Sequence, residues 1–351
     1  MNLEEIVNGI EPLDENAIEL SKKKWNSIAK PLHSLGKLEE NIIRIAGMKR
    51  TADVCIDKKA LIAMCADNGV VEEGVTQSGQ EVTAIVAENF LDGNTSAAIM
   101  CRRAGVTLFP VDIGMASDTR VPCYKTAYGT KNMVKEPAMT RDEAVHAIMT
   151  GVRLVREKME AGYQIIATGE MGIGNTTTSS AVASVLLGRP VEDMTGRGAG
   201  LTSAGLDRKI GAIKKAVALH QPDQNDPIDV LSKVGGFDIA GLTGVYLGGA
   251  YYRVPVVMDG FISAVAALAA VRMNPLVKEY MIVSHVSKEP GMHMILDALG
   301  REAALTCDMC LGEGTGAVAF LPILDMALDV YHRMSTFSDI NMDNYEELGD
   351  K

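Results

Sequence analysis

Six short apolar runs, at residues 61–66, 107–111, 164–168, 254–259, 281–284 and 305–311, each end in a polar, glycine-bearing loop. Helix-like sequence follows them, most clearly at 141–160, 176–187, 206–220, 261–271 and 316–333. Strand-length runs separated by helices leave room for crossovers, so the strands pair in parallel and the helices cover both faces of the sheet. The predicted class is α/β, a Rossmann-like parallel sheet with helices on both faces. The first fifty residues carry no strand signal. Asp14 is placed to cap a helix running to Ile28, Pro31 interrupts it, and Ser34 is placed to cap a second helix with Leu38, Ile42, Ile43 and Ile45 on one face. Residues 1–55 are therefore predicted to form a small helical subdomain beside a large α/β catalytic domain at 56–334. The acidic tail, 335–351, either joins that subdomain or frays.

Charge narrows the partners. Lys and Arg total 34 against 45 Asp and Glu, a net charge of −11, so phosphate backbones and anionic lipid repel the chain and nucleic-acid binding is disfavoured. The stretch 254–271 is long enough to cross a membrane, but Asp259 and Gly260 lie in its middle and it reads as a strand turning into a helix. The start, Met1-Asn-Leu-Glu-Glu, lacks the basic-then-apolar plan of a signal peptide, and a cytoplasmic protein is expected. Six cysteines in a chain this long do not suggest a disulfide framework. Cys307 and Cys310 have Cys-x-x-Cys spacing, yet no second pair completes a zinc site. On the predicted strand their thiols point to opposite faces, so they are expected to be buried packing residues.

Ligands of parallel sheets bind outside the carboxyl ends of the strands, which directs attention to the loops. The loop 169–178 brings Gly172, Gly174, Asn175 and Thr176 to the positive end of a helix. It reads either as a phosphate cradle or as a tight turn with a threonine cap. It is neither the dinucleotide fingerprint nor a Walker loop, which argues against a dehydrogenase. The loop 195–202, with Gly198, precedes Arg208 and Lys209, cations that either meet an anion or face solvent. The loop 284–291 offers Ser287 as a second phosphate contact, and His285 there reads as a hydrogen-bonded structural residue. Glu313 lies between Gly312 and Gly314. It is open to two readings: a general base whose pKa is raised in a low-dielectric cleft, or a first-turn acid favoured by the helix dipole. Glu170 and Glu313 are the strongest acid–base candidates, and no histidine-based metal constellation competes with them.

Seven motifs in one order make the chain resemble the nicotinate-nucleotide:dimethylbenzimidazole phosphoribosyltransferases, which make the lower-ligand nucleotide of cobamides. They are Pro31-Leu-His-Ser-Leu-Gly-Lys-Leu-Glu39, Cys65-Ala-Asp-Asn-Gly-Val70 with Gln80-Glu-Val-Thr83, Gly169-Glu-Met-Gly-Ile-Gly-Asn-Thr-Thr177, Thr195-Gly-Arg-Gly198, Asp259-Gly260-Phe261, Ser284-His285 and Leu311-Gly-Glu-Gly-Thr-Gly316. The resemblance implies transfer of 5-phosphoribose from nicotinate mononucleotide to an aromatic base. Glu313 corresponds to the general base, Glu170 to a second active-site acid, and Lys209 to a lysine near the transferred nucleotide. Gly172, Gly174, Asn175, Thr176, Gly198, Ser287 and Gly314 would bind the nucleotide and its phosphate, and Asp67, Gln80 and Leu311 the acceptor base. No cofactor and no metal are expected: the pyridinium leaving group carries its own charge, and the Val-x-x-Asp-Asp pattern of magnesium-dependent phosphoribosyltransferases is missing. A homodimer or a heterodimer with a paralogue is expected. The chain departs from the family pattern at His33, Asn68 and Ser78-Gly79. The last two departures leave open a purine or phenolic acceptor in place of a benzimidazole. A nucleotide-binding partner subunit without turnover is the competing function, and retention of Glu313 argues against it.

Overall fold

The computed structural model describes residues 1–346. Three helices, α1 (Leu3–Asn8), α2 (Glu15–Ser27) and α3 (Lys37–Lys49), precede the first strand, β1 (Lys59–Ala66). Next come α4 (Glu81–Asp92), α5 (Ser96–Ala104), β2 (Val106–Gly114), α6 (Arg141–Glu160), β3 (Ile165–Met171) and α7 (Asn175–Leu187). The chain continues through α8 (Val191–Met194), α9 (Ser203–His220), α10 (Pro227–Val234), α11 (Phe237–Tyr252), β4 (Val256–Met258) and α12 (Phe261–Met273). It ends in β5 (Met281–Val283), α13 (Met292–Leu299) and α14 (Thr315–Arg333). The strands form one parallel sheet in the order β2-β1-β3-β4-β5, so the α/β class read from the sequence is the one the chain adopts. Sheet order reverses between β1 and β3, and in open parallel sheets that switch point opens a crevice at the carboxyl ends of the strands.

One predicted strand does not form. In 305–311 only Leu305 makes a bridge, an isolated parallel one to His285. Asp308 then turns into the left-handed region at φ 51°, which breaks the extended path. Cys307 and Cys310 are consequently exposed, not buried. At the other end, α2 has its expected cap, with Ala17 N–H donating to Asp14 Oδ1 at 2.7 Å. The next helix starts at Lys37 behind Gly36 (φ 51°) and not behind Ser34, because the glycine makes the turn and no side chain caps it. The segment after α14 returns to these helices: Ala29 N–H donates to Ser335 O and Phe337 N–H to Ser27 O, both at 2.9 Å. Trp25 packs on Tyr331 at a tilt of 49°, with 4.9 Å between ring centres. The last five residues of the predicted tail, 347–351, lie outside the described residues.

The sequence pattern does not reveal the central helix. In α11 the glycines at 241, 244, 248 and 249 look like loop composition. In the fold they let it cross α6 backbone to backbone: a Cβ on Gly244 would collide with the Ile148 carbonyl, and one on Gly151 with that of Gly241. Residues 237–250 are buried throughout, which makes α11 a core element apolar on every side. Among the described residues no helix is long and apolar enough to cross a membrane.

Candidate active site

A cavity of about 330 Å³ opens at the carboxyl ends of β3, β4 and β5, beside the loop after β1. Its floor comes from β3, which ends in Glu170 and Met171 and turns through Gly174 (φ 94°) into α7. Asn175, the first residue of α7, is buried and donates its side-chain amide to Glu170 Oε2 and, at 3.1 Å, to Asp238 Oδ2. On the far side Lys209 reaches in from α9. It is 1 % exposed, with Nζ donating to Thr176 Oγ1 at 2.9 Å and to Gly196 O at 3.1 Å. The half-buried Glu289 acts on it as a counter-charge, and the Gly198 amide acts on Glu289 in turn.

Glu313 stands at the opposite lip in a strained conformation. Gly312, Glu313 and Gly314 have φ values of 88°, 60° and 85°. Three consecutive left-handed residues are natural for the glycines, whereas the acid between them bears a cost of about 1–2 kcal/mol. Asp259 holds the turn by accepting N–H bonds from Gly314 (3.1 Å), Gly316 (2.8 Å) and Ala317 (3.1 Å), the open amides at the start of α14. The His285 ring lies so close to Gly316 that a Cβ there would strike it. The Glu313 carboxylate itself accepts from Ala97 N–H, in the first turn of α5, at 3.2 Å.

The acids of this cavity bind protons more tightly than acids in water do. Burial, and then the neighbouring Asp238, push Glu170 up to about 8. Asp238 is pushed up to about 6 by burial. Burial also raises Glu313, against the pull of the Ala97 amide, and raises Asp259, against the pull of His285 and the amides it accepts. Burial lowers Lys209 to about 8. The cavity therefore combines a protonated acid, a base of raised affinity and a desolvated cation in one small volume.

Linkage gives a test. From about pH 4.5 to about 8 the folded chain keeps the Glu170 proton and the unfolded chain has lost it, so stability falls as pH rises through that window. Lys209 acts oppositely, but only above about 8, where the folded chain has lost a proton the unfolded chain keeps. The melting temperature of the ligand-free protein is expected to decline between those pH values, and Glu170→Gln to flatten the decline. Equal slopes in calorimetric scans of the two proteins would show that Glu170 is ionised at neutral pH.

Most of the residues picked out from the sequence meet here. Glu313, Glu170, Lys209, Gly172, Gly174, Asn175, Thr176, Gly198, Ser287 and Leu311 all line the cavity. Three do not. Asp67 is 1 % exposed and accepts from Ala116 N–H at 2.8 Å. Gln80 donates to Asn68 O at 3.1 Å. Gly314 has given its amide to Asp259. Of the departures from the family pattern, Ser78 faces the cavity together with Val75, Thr76 and Gln77. Asn68 stays buried behind the wall and links the loops after β1 and β3, donating to Ile173 O at 3.4 Å and accepting from Thr178 Oγ1 at 3.3 Å. Two latches close the roof: Gln77 donates to the carbonyls of Ala199 and Gly200, and Arg208 to Gly74 O at 3.1 Å.

Sequence reading gives no role to Asp238, Asp259 and Glu289. Asp259 stands in a quoted motif, and a Gly-Gly pair before an acid at 238 is the only local sign of the second.

Residues 10–342 match a family described as phosphoribosyltransferase. The nicotinate-nucleotide–dimethylbenzimidazole phosphoribosyltransferase of Ruminiclostridium cellulolyticum is 46% identical over 351 residues, covering 99% of this chain and 100% of the relative. The enzyme of the same name from Acetivibrio thermocellus is 48% identical over 343 residues, covering 97% and 98%. Among solved structures, CobT from Thermus thermophilus superposes with a TM-score of 0.89 at 34% identity, over 94% of this chain and 100% of that one.

Proposed function

The chain belongs to the nicotinate-nucleotide–dimethylbenzimidazole phosphoribosyltransferase family, and from that premise we propose how its cavity performs the reaction. The protein is a pentosyltransferase that moves 5-phosphoribose from nicotinate mononucleotide to 5,6-dimethylbenzimidazole or a related base. The products are an α-ribazole-type 5′-phosphate, for the nucleotide loop of cobamides, and nicotinate.

The observation that carries the residue roles is the pairing, within one cavity, of a desolvated cation among hydroxyls and glycines with an acid held in left-handed backbone. The 5′-phosphate sits against Lys209, Thr176, Ser287 and the turn at Gly172 and Gly174. A charge-assisted contact to a dehydrated ammonium is stronger than one in water, and it supplies the attraction that a net charge of −11 cannot. The bond from C1′ to the pyridinium nitrogen breaks with its electron pair passing to the ring, so nicotinate departs with a neutral pyridine. One ring nitrogen of the acceptor forms the new bond to C1′, and Glu313 removes the proton from the other. The acceptor lies against Leu311 and the wall of Val75, Thr76 and Ser78. Asp67 and Gln80 act on it indirectly, by holding the loop after β1.

Small polar Ser78 at that wall favours, as the second reading, an acceptor other than a benzimidazole: a purine or a phenol. Purified protein mixed with nicotinate mononucleotide and a panel of benzimidazoles, purines and phenols is expected to release nicotinate most rapidly with a benzimidazole and to give the α-anomer. Fastest turnover with adenine or a phenol would reassign the acceptor, and no release with any base would refute the reaction. We also assign the protein to the cytoplasm, as a homodimer or a heterodimer with a paralogue. Exposed Ile85 and Leu91 on α4, Ile99 on α5 and Leu311 at the cavity lip support a partner packed beside the cavity.

A further inference from the structure

Cys307 and Cys310 are both exposed, and Cys310 lines the cavity. The other thiols are differently placed: Cys65 and Cys101 are buried, Cys55 is partly so, and Cys123 is exposed without a neighbour in sequence. The pair sits on irregular backbone between two firm anchors. Upstream, Leu305 N–H donates to Ser284 O at 2.9 Å and its carbonyl accepts from Val286 N–H at 3.0 Å. Downstream, Gly312 O accepts from Thr315 N–H at 3.0 Å, and Asp259 grips Gly314. Between them, among the described residues, 306–311 make a single backbone hydrogen bond, Lys288 N–H to Met309 O at 3.1 Å. A segment so weakly tied rearranges at little cost.

We propose that Cys307 and Cys310 are a dithiol redox site which closes to an intrachain disulfide and thereby switches the transferase off. The effect on turnover rests on the reaction proposed above; the chemistry of the pair does not. One cysteine thiolate attacks a small-molecule disulfide such as glutathione disulfide and expels one thiolate. The second cysteine then attacks the mixed disulfide and expels the other. The two protein thiols lose two electrons and two protons, and the oxidant becomes two thiols. A disulfide fixes the Cα atoms about 4.4–6.8 Å apart, which locks 307–310 into a single turn geometry. Locking that turn restrains Met309, whose carbonyl accepts from Lys288 N–H, and constrains both anchored ends at once. Leu311 and the strained Glu313 lie within three residues of Cys310, and Ser287 and Glu289 flank Lys288. A displacement near 1 Å at a reacting group lowers rates by as much as ~10²-fold.

The test treats the reduced full-length protein with glutathione disulfide and follows mass and turnover together. The expected result is a loss of two hydrogens mapped to a peptide bridged at 307 and 310, with nicotinate release falling on the order of 10-fold or more and recovering with dithiothreitol. Cys307→Ser is expected to keep the turnover of the reduced enzyme and to form no internal bridge, and Cys123→Ser to respond as wild type. Glutathione adducts without a 307–310 bridge, or a bridged enzyme with undiminished turnover, would overturn the proposal. A reduced enzyme with no turnover at all would count against the reaction, and the mass would still report on the dithiol.

Discussion

Glu313→Gln lowers nicotinate release by ~10²- to 10⁴-fold, the range that positioned general bases contribute, and leaves folding intact. Glutamine keeps the size of the side chain and an oxygen to accept the Ala97 amide, so the contact at the first turn of α5 survives. The Gly312–Gly314 turn carries the same strain in both proteins. What is lost is the electron pair that takes the acceptor's proton. The effect therefore falls on kcat with little change in KM for either substrate, and the melting temperature stays that of wild type. Wild-type turnover in the variant would remove Glu313 from the mechanism. Unfolding would show that its carboxylate was needed as a cap for α5.

Lys209→Met has the second large effect, on kcat/KM for nicotinate mononucleotide. Removing one partner of a buried charged contact costs roughly 2–5 kcal/mol, or about 30- to several-thousand-fold, part of which reflects Glu289 left without its counter-charge. Methionine fills the space of the buried lysine stem, so packing is preserved. Nicotinate riboside, the same donor without the phosphate, separates the possibilities: wild type and variant are expected to use it about equally poorly. If the variant loses as much with the riboside as with the nucleotide, Lys209 acts on the ribose or the fold and not on the phosphate.

Glu313 is legible in the sequence because it stands in a glycine-rich loop after an apolar run, whereas Lys209, on a helix beyond the loop 195–202, reads equally as a solvent-facing cation until the family resemblance singles it out. The sheet is legible because its strands are short apolar runs that end in such loops. What escaped depended on partners far along the chain. Asp259 meets the amide of Gly316 across 57 residues, and nothing near either one announces a cap. In α11 the glycines that imitate a loop are required by α6, some ninety residues upstream, whose backbone must touch them. The run 305–311 misled in the opposite sense. Leucine, cysteine, methionine and leucine at regular spacing imitate a buried strand, yet Asp308 adopts a left-handed turn and the sheet ends at β5. Apolar content reports how much is available to bury and does not settle whether a neighbouring strand offers a free edge. Asp238 went unread because a buried acid is recognisable only when its partner, Asn175, is in place.

The latches over the cavity have an evolutionary consequence. Gln77 and Arg208 fasten the two roof loops by donating to main-chain carbonyls of Ala199, Gly200 and Gly74, groups that every residue type supplies. Neighbouring side chains such as Ser78 and Leu201, which face the interior, carry none of the fastening. They are free to drift in size and polarity while the roof keeps its height, so a lineage can trade one aromatic acceptor for another by successive point changes, each passing through a folded enzyme.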